Sequence, residues 1–288
     1  MSATRQRRVL VTGASGFTGR YVCEELAAAG HEVVLPEHAF DLTDPSSLQG
    51  MLADALFDDV IHLAAISFVG HADPTEFYRV NAIGTINLLE AIHGSGRRPG
   101  RVVLASSANI YGNNPASPID EDASPAPVNH YAGSKVAMEA LAQPWRAKLP
   151  IVVTRPFNYT GRGQREDFLV PKIVAHFVRR EPVLELGNID ITRDFSDVRD
   201  VAAIYCRMLD APVGTTVNIC SGGGTSLREI IAYCGEATGH RLDVRSIAGL
   251  VRGNDILTLV GSKQRLDTIV PDLPRRSMGE TLDWMLVA

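Results

Sequence analysis

The chain has 288 residues, of which 45% are hydrophobic and 21% are charged, and its formal net charge is −5. This composition is typical of one large globular domain or two coupled lobes, and the scattered basic residues argue against a nucleic-acid partner. No apolar run approaches the roughly 18 residues that span a bilayer, and the cysteines show neither C-x-x-C spacing nor a neighbouring histidine cluster. We therefore expect a cytoplasmic protein with reduced thiols, no metal site and no membrane contact.

Short apolar runs alternate with helix-like segments through the first half of the chain. The runs are rich in Val and Ile and lack polar alternation, which is typical of strands buried on both faces of a parallel sheet. They cover residues 9–12, 60–63, 102–105 and 151–154, with a further strand expected at 32–35. Helices are predicted at residues 19–29, 73–93 and 131–148. This alternation predicts an α/β fold with a doubly wound parallel Rossmann sheet.

The pattern changes after Pro156, where Pro and Gly become frequent. Helices are predicted at residues 170–180 and 198–209, a strand at 216–220, and a helix followed by loops from residue 227. We assign residues 1–157 and about 195–220 to a dinucleotide-binding Rossmann domain. Residues of about 158–194 and 221–288 would form a smaller C-terminal substrate-binding lobe.

Three glycines follow the first predicted strand, at Gly13, Gly16 and Gly19. The first permits a tight turn, the second lets the backbone approach a pyrophosphate, and the third lets helix and strand pack closely. The phosphates would then lie at the positive end of the following helix. The spacing predicts a dinucleotide site rather than a turn without a ligand. Its loop residues are Gly13, Ser15, Gly16, Phe17, Thr18 and Gly19.

The acidic residue that usually binds the adenosine ribose is less clearly marked. Glu37 follows the second predicted strand, and no Arg or Lys lies nearby to pair with a 2′-phosphate. This pattern favours NAD over NADP without deciding between them. Asp41 and the neighbouring Leu42 are placed to meet the adenine, although Asp41 could instead be a helix-capping or surface aspartate.

Tyr131 and Lys135 are four residues apart, so on a helix they share one face. A neighbouring ammonium lowers the pKa of a tyrosine, which can then exchange a proton with a carbinol or carbonyl oxygen near neutral pH. Ser107 follows the predicted strand at 102–105, where site residues of an α/β sheet gather, and can donate a hydrogen bond to the same oxygen. The alternative for Ser107 is a serine that only caps a loop. We predict that Ser107, Tyr131 and Lys135 are catalytic.

These residues resemble the extended short-chain dehydrogenase/reductase family of nucleotide-sugar enzymes, the NAD-dependent epimerase/dehydratase family. The matching motifs are the T-G-x-x-G-x-x-G loop at residues 12–19, the H-L-A-A segment at 62–65, V-N-A-I-G-T at 80–85 and the Tyr131/Lys135 pair. The resemblance implies an NAD(P)H cofactor, a nucleotide-sugar substrate and a homodimer formed by the helices at 73–93 and 131–148. It also implies cofactor contacts at Leu63, Ala64, Ala65, Asn81, Tyr131, Lys135 and Pro156.

The second half resembles the reductases that act on GDP-6-deoxy-4-keto-D-mannose, at residues 155–164, 167–171 and 187–200. The resemblance implies that Asn158, Arg193 and Arg252 bind the diphosphate, a role that suits guanidinium groups. Structural salt bridges to Asp194 and Asp255 are the alternative for the two arginines. The remaining substrate contacts that it implies are Ser67, Ser107, Ala108, Asn109, Val170 and Lys172.

Sugar-nucleotide 4,6-dehydratases of this family carry an Asp-Glu pair directly after the catalytic hydroxyl residue, where this chain has Ala108 and Asn109. Neither can act as an acid or base, which argues against a dehydratase. The leading hypothesis is reduction of GDP-4-keto-6-deoxy-D-mannose to GDP-D-rhamnose or its talose epimer. An NAD-dependent nucleotide-sugar 4-epimerase is the second hypothesis. The third is a non-catalytic dinucleotide-binding sensor, although such proteins usually lose the tyrosine or the lysine.

Overall fold

The structure is a computed structural model that describes residues 6–36, 40–68, 71–247, 249, 256–273 and 275–287. In chain order, its first elements are β1 (Arg8–Thr12), α1 (Phe17–Ala28), β2 (Glu32–Val34), α2 (Pro45–Asp54), β3 (Asp59–His62), α3 (Pro74–Glu76), a π-helix (Phe77–Ile83), α4 (Gly84–Gly94), β4 (Val102–Ala105), a 3-10 helix (Ala108–Tyr111), α5 (His130–Ala142), a second 3-10 helix (Gln143–Ala147) and β5 (Ile151–Pro156).

The elements that follow are β6 (Asn158–Thr160), α6 (Leu169–Val178), β7 (Val183–Leu186), β8 (Thr192–Arg193), β9 (Phe195–Asp197), α7 (Val198–Arg207), a 3-10 helix (Met208–Asp210), β10 (Thr216–Ile219), β11 (Thr225–Ser226), α8 (Leu227–Thr238), β12 (Asp243–Ser246), β13 (Thr258–Leu259), α9 (Gln264–Ile269) and α10 (Met278–Leu286). The described chain divides into two compact units. The first runs through Gly112 and includes Ser124–Arg155 and Ala202–Val217, and the second takes Asn113–Ala123, Pro156–Val201 and the chain from Asn218 onward.

The main sheet has six strands in the order β10-β5-β4-β3-β1-β2. Every pairing from β5 across to β2 is parallel, with β1 between β2 and β3. The apolar runs that predicted these strands are buried on both faces, since residues 9–11 and 102–104 have no exposed surface. The predicted doubly wound parallel Rossmann sheet is therefore confirmed.

Two predicted helices have an internal structure that the sequence pattern did not indicate. The helix predicted at 73–93 begins after the cap Asp73, and its middle, Phe77–Ile83, is a π-helix. The helix predicted at 131–148 ends as an α-helix at Ala142 and continues as a 3-10 helix. Pro144 lies in that second segment and has no amide hydrogen with which to continue an α-helix.

The second unit has a core of its own, which α6, α8 and α10 supply. It includes Ile173, Phe177, Leu227, Ile230 and Leu282. Three small sheets accompany it, in the orders β11-β8-β13, β12-β7 and β6-β9. The prediction of a helix followed by loops from residue 227 was incomplete, because β12, β13 and α9 are short elements without a readable periodicity.

Within the described part of the chain, no helix is both long and apolar enough to cross a membrane. The four cysteines form no disulfide, and Cys206, Cys220 and Cys234 are buried. In the two helices that the resemblance assigns to a dimer interface, Leu88, Leu89 and Met138 are fully buried, whereas Leu141 is 44% exposed.

Candidate active site

The loop after β1 passes directly against the backbone that follows β3. Gly13 has a φ of +75°, and a Cβ atom built on it would lie 2.7 Å from the amide nitrogen of Ala64. A Cβ atom on Gly19 would lie 2.1 Å from the carbonyl oxygen of Gly13. Only glycine fits these two positions, so the loop, α1 and residues 63–64 are packed backbone to backbone.

The N-terminus of α1 faces this loop without a side-chain cap. Gly16 is its N-cap residue, with no side-chain hydrogen bond and no acidic residue in the first turn. The first-turn backbone amides of a helix and its dipole favour an anion at such a terminus. Ser15 is exposed, while Phe17 and Thr18 begin the helix, with the Phe17 ring 5.7 Å from that of Tyr21. The close glycine backbone and the uncapped helix fit the diphosphate of a dinucleotide.

A buried hydrogen-bond chain ties the glycine loop to the next strand. Thr85 Oγ1 donates to the carbonyl oxygen of Asn81 at 2.7 Å, so it can only accept from His62 Nε2 at 3.0 Å. His62 Nδ1 therefore accepts from Thr12 Oγ1 at 2.6 Å. Burial and the charge of Lys135 lower the pKa of His62 to about 3, so the ring is neutral. Thr12 Oγ1 also lies 3.4 Å from the amide of Ala64, the residue against Gly13.

The carboxamide of Asn81 connects the loop after β3 to α5. Its Oδ1 accepts from the Ile66 amide at 2.8 Å, and its Nδ2 donates to the Ile66 carbonyl and to Ser134 Oγ, both at 3.0 Å. Ser134 Oγ in turn donates to the Tyr131 carbonyl at 2.7 Å. Asn81 lies in the π-helix, a local feature that often occurs at functional sites. It therefore ties the backbone at Ile66, directly after Leu63–Ala65, to the helix of Tyr131.

Lys135 reaches from α5 to the carboxyl end of β4. Its Nζ donates to the Ala105 carbonyl at 2.7 Å, two residues before Ser107. Burial lowers the pKa of Lys135 to about 8, although the charge of Glu139 opposes this shift. Tyr131, one turn earlier on α5, is 8% exposed. Its ring packs edge to face with that of Phe77, and the two ring centres are 6.1 Å apart. The structure thus brings the lysine to the strand end that precedes Ser107, with Tyr131 one turn away on the same helix.

Ser107 is the N-cap residue of the 3-10 helix Ala108–Tyr111. Its Oγ accepts from the amide of Asn109 and from Asn109 Nδ2, both at 3.2 Å. Because both contacts use the oxygen as an acceptor, the hydroxyl proton is left to donate to a ligand. The serine therefore caps a helix and retains a donor. Asn109, predicted as a substrate contact, orients Ser107, and Ala108 is buried.

Asp41 is exposed, and its Oδ1 accepts from the Thr43 amide and hydroxyl at 2.8 Å. These two hydrogen bonds lower the pKa of Asp41. Leu42 is 7% exposed and accepts from Asn87 at its carbonyl. The contacts of Asp41 are those of a surface turn, so a role at the adenine stays a prediction. Glu37 lies outside the described residues.

The predicted substrate residues of the second unit are spread over three elements. Asn158 is on β6, paired with Phe195 of β9. Lys172 of α6 donates to the Glu185 carbonyl at 2.6 Å, while Val170 is 2% exposed in the core. Arg193 of β8 donates to the carbonyl of Leu257 at 3.1 Å.

The remaining predicted positions are less informative. In the first unit, Ser67 is exposed in the loop after β3. Pro156 closes β5. Arg252 lies outside the described residues.

Sequence reasoning missed the side chains that hold the predicted trio in place. They are Thr85 and Ser134, together with Arg155 and the two residues to which it donates, Glu139 and Tyr111. The contacts that join these residues to other elements span 16 to 53 positions of the chain. No local spacing could therefore have indicated them.

Comparisons of the chain with known proteins identify a matching family and several similar enzymes. The family model described as "NAD dependent epimerase/dehydratase family" matches residues 9–220. The chain is 38% identical to GDP-6-deoxy-D-talose 4-dehydrogenase of Aggregatibacter actinomycetemcomitans, over 90% of each chain. It is 35% identical to GDP-6-deoxy-D-mannose reductase of Pseudomonas aeruginosa, over 96% of this chain and 97% of the relative.

A solved structure of RMD from Pseudomonas aeruginosa, complexed with NADPH, matches with a TM-score of 0.89 and 33% identity. The match covers 98% of this chain and 97% of that one. UDP-glucose 4-epimerases match as well, and the one from Streptomyces lividans is 32% identical over 88% of each chain.

Proposed function

The chain belongs to the NAD dependent epimerase/dehydratase family, and from that premise we propose that it reduces GDP-4-keto-6-deoxy-D-mannose at carbon 4 to GDP-D-rhamnose. The family resemblance drawn from the sequence is confirmed, and the protein is an NAD(P)-dependent enzyme that acts on nucleotide sugars. Its exact substrate and reaction are the proposal. The observation that carries it is the hydroxyl of Ser107, whose proton is left to donate at the strand end that Lys135 contacts.

The glycine loop and the uncapped N-terminus of α1 would hold the dinucleotide, with Lys135 at its nicotinamide ribose. Bound NAD(P)H would supply the hydride that carbon 4 receives. Tyr131 then gives its phenolic proton to the C4 oxygen, and Ser107 holds that oxygen through a donated hydrogen bond. Lys135 stabilises the phenolate that Tyr131 leaves behind until the solvent returns a proton.

The residues after Ser107 support reduction rather than dehydration. A dehydratase needs an acid and a base near carbons 5 and 6. Here Ala108 is apolar and buried, and the amide of Asn109 is directed to Ser107. Neither side chain can move a proton.

The sugar stereochemistry at carbon 4 separates two products. The two GDP-sugar relatives are named for 6-deoxy-D-mannose and 6-deoxy-D-talose, which differ only at that carbon. Oxidation of either product gives the same 4-keto sugar. The relatives thus support the 4-keto sugar as substrate. Identifying the product sugar decides between GDP-D-rhamnose and its talose epimer.

The test mixes purified protein with enzymatically made GDP-4-keto-6-deoxy-D-mannose and follows the absorbance of NADPH and, separately, NADH. We expect oxidation of the reduced cofactor that Tyr131→Phe abolishes, and the ratio of the two rates gives the cofactor preference. The product sugar is then identified by nuclear magnetic resonance. Oxidation that persists in Tyr131→Phe would contradict the assigned role of the tyrosine.

A nucleotide-sugar 4-epimerase is the second candidate, since UDP-glucose 4-epimerases match the chain. An epimerase retains its cofactor, so protein denatured after purification would release stoichiometric NAD. No oxidation of NADPH combined with that release would replace the reductase with the epimerase. A non-catalytic sensor is the third hypothesis, and it predicts dinucleotide binding without turnover of either kind.

We also propose that the enzyme is a cytoplasmic homodimer that associates through α4, α5 and the π-helix. Three large apolar side chains are exposed on the π-helix and α5, Tyr78 by 37%, Ile83 by 50% and Leu141 by 44%. Covering them would remove apolar surface from water. Light scattering should give twice the chain mass for wild type and the chain mass for Leu141→Glu, and a monomeric wild type would contradict the proposal.

A further inference from the structure

Arg155 is a buried charge at the end of β5, and its guanidinium has partners on two separate helices. Its Nε and NH2 groups donate to the two carboxylate oxygens of Glu139 at 3.0 and 2.7 Å. Its NH1 group donates to the hydroxyl of Tyr111 at 2.9 Å. The guanidinium carbon also lies 5.3 Å from the centre of the Tyr111 ring. One planar group thus connects α5 to the 3-10 helix Ala108–Tyr111.

Both of these elements carry members of the catalytic trio. Glu139 lies one turn after Lys135 on α5, because residues four apart share a helix face. Tyr111 is the last residue of the 3-10 helix that Ser107 caps. The same end of that helix is also held by the backbone, since the amide of Ala126 donates to the Ile110 carbonyl at 2.8 Å.

The backbone beyond Tyr111 is equally constrained. A Cβ atom on Gly112, which has a φ of +55°, would lie 1.8 Å from the Ala126 carbonyl oxygen. A shift of the 3-10 helix therefore has little room on that side. The Tyr111 hydroxyl is the point at which this helix is connected to Arg155.

A buried ion pair is weak evidence for a contribution to stability, because desolvation offsets much of the attraction. Arg155 is 8% exposed, and an apolar side chain would fill the same space. What an apolar residue would lack is the directional fork, which sets the distance and angle between three elements. The reason to keep a buried arginine here is geometric.

We infer that Arg155 is a positioning residue, whose paired contacts to Glu139 and Tyr111 hold the helix of Ser107 in register with the helix of Tyr131 and Lys135. The inference rests on the proposed function for the roles of the trio. In this inference Arg155 touches neither the substrate nor the cofactor. It acts by fixing the separation of the serine hydroxyl and the tyrosine hydroxyl, which must meet one oxygen atom.

Two variants separate this role from general stability. Arg155→Lys keeps the charge beside Glu139 but cannot bridge both partners, and Tyr111→Phe removes one oxygen atom while keeping the ring. Arg101→Lys is the matched control, because Arg101 donates to the Ala211 carbonyl at 2.6 Å, away from these helices. All variants are compared at a temperature where circular dichroism shows each one folded.

We expect Arg155→Lys to lower kcat about 10- to 100-fold, since a displacement near 1 Å from the productive geometry costs rates of that order. Tyr111→Phe should lower kcat about two- to tenfold, in line with one lost hydrogen bond. KM and the dissociation constant of NADPH should change by less than about twofold, because neither variant replaces a residue assigned to substrate or cofactor binding. Arg101→Lys should leave all three constants unchanged.

The inference is overturned if Arg155→Lys and Tyr111→Phe keep kcat within about twofold, or if KM rises while kcat stays constant. Should Arg155→Lys not fold, Tyr111→Phe alone decides. Amide hydrogen exchange of the NADPH-bound protein gives a readout that needs no substrate. Peptides covering residues 106–112 and 131–139 should exchange faster in Arg155→Lys than in wild type, and equal rates would overturn the bridge.

The two failures are distinguishable. If wild type oxidises no NADPH with the keto sugar, the proposed function is wrong, while the exchange experiment still decides whether Arg155 joins the two helices. If wild type is active and the variants match it, the proposed function stands and the positioning role falls.

Discussion

Replacing Gly13 with alanine tests whether the loop requires a backbone-to-backbone contact or only a left-handed turn. Gly30, at the end of α1, is a matched control because its φ is +83° and a Cβ atom on it would meet nothing within 4 Å. Each substitution incurs the left-handed penalty of about 1–2 kcal/mol. At Gly13 the new methyl group would also lie 2.7 Å from the amide nitrogen of Ala64 and 2.9 Å from its Cα. Overpacking of this kind costs about 1–3 kcal/mol in addition.

Urea denaturation gives the free energy of unfolding for both variants, and fluorescence titration gives the dissociation constant of NADPH. We expect Gly13→Ala to be less stable than Gly30→Ala by the overpacking cost alone, since the left-handed penalty cancels in the comparison. The displaced loop should also weaken NADPH binding by about tenfold or more, equivalent to roughly 1.4 kcal/mol. Equal stabilities of the two variants, or unchanged NADPH affinity in Gly13→Ala, would refute the argument.

Three further changes have defined outcomes. Asn81→Ala removes three hydrogen bonds of a buried carboxamide and should lower the free energy of unfolding by about 2–4 kcal/mol. Asn87→Ala removes one hydrogen bond and should lower it by about 1 kcal/mol. Similar urea midpoints would contradict the role of Asn81. Burial lowers the pKa of Lys135 from 10.5 to about 8, so between these values the folded protein binds fewer protons than the unfolded one. The stability of wild type relative to Lys135→Met should therefore rise by up to about 3 kcal/mol with increasing pH, and a flat difference in urea denaturation would contradict this. Burial, partly opposed by Arg7, raises the pKa of Asp59 from 3.8 to about 6, so between these values the folded protein binds more protons than the unfolded one. The thermal stability of wild type relative to Asp59→Asn should therefore fall as the pH rises from 3.8 to 6. A difference that stays constant from pH 3.8 to 6 would show that Asp59 does not titrate in this way.

The parts of the molecule that follow from local pattern were predictable. Strands β1, β3, β4 and β5 are continuous Val- and Ile-rich runs, and such runs have few other stable environments than the middle of a parallel sheet. The spacing of Gly13, Gly16 and Gly19 predicted the turn and the close approach that the structure has. The helix of Tyr131 and Lys135 was predicted as one of the helix-like segments that alternate with the strands.

The parts that depend on contacts distant in sequence were not predictable. The π-helix around Asn81 differs from an α-helix by one residue of hydrogen-bond register, which leaves almost no trace in the apolar pattern. Ser134 reads as an ordinary helical serine until its contact with Asn81 is seen. Arg155 matched a motif, but its partners Glu139 and Tyr111 are 16 and 44 residues away. Two-residue strands such as β8 are too short to show any alternation.

Helix α10 has a consequence for the order in which the protein matures on the ribosome. Its Leu282 and Met285 are part of the second unit's core, its Thr281 donates to the buried Asp197 at 2.9 Å, and its Trp284 ring lies 3.7 Å from the guanidinium of Arg199. Synthesis must therefore pass residue 285 before that core can close. By then strands β1 to β5 have long emerged and can pair. Chains interrupted before α10 would present an exposed apolar core in one half of the molecule, which makes them natural targets for chaperones and proteases.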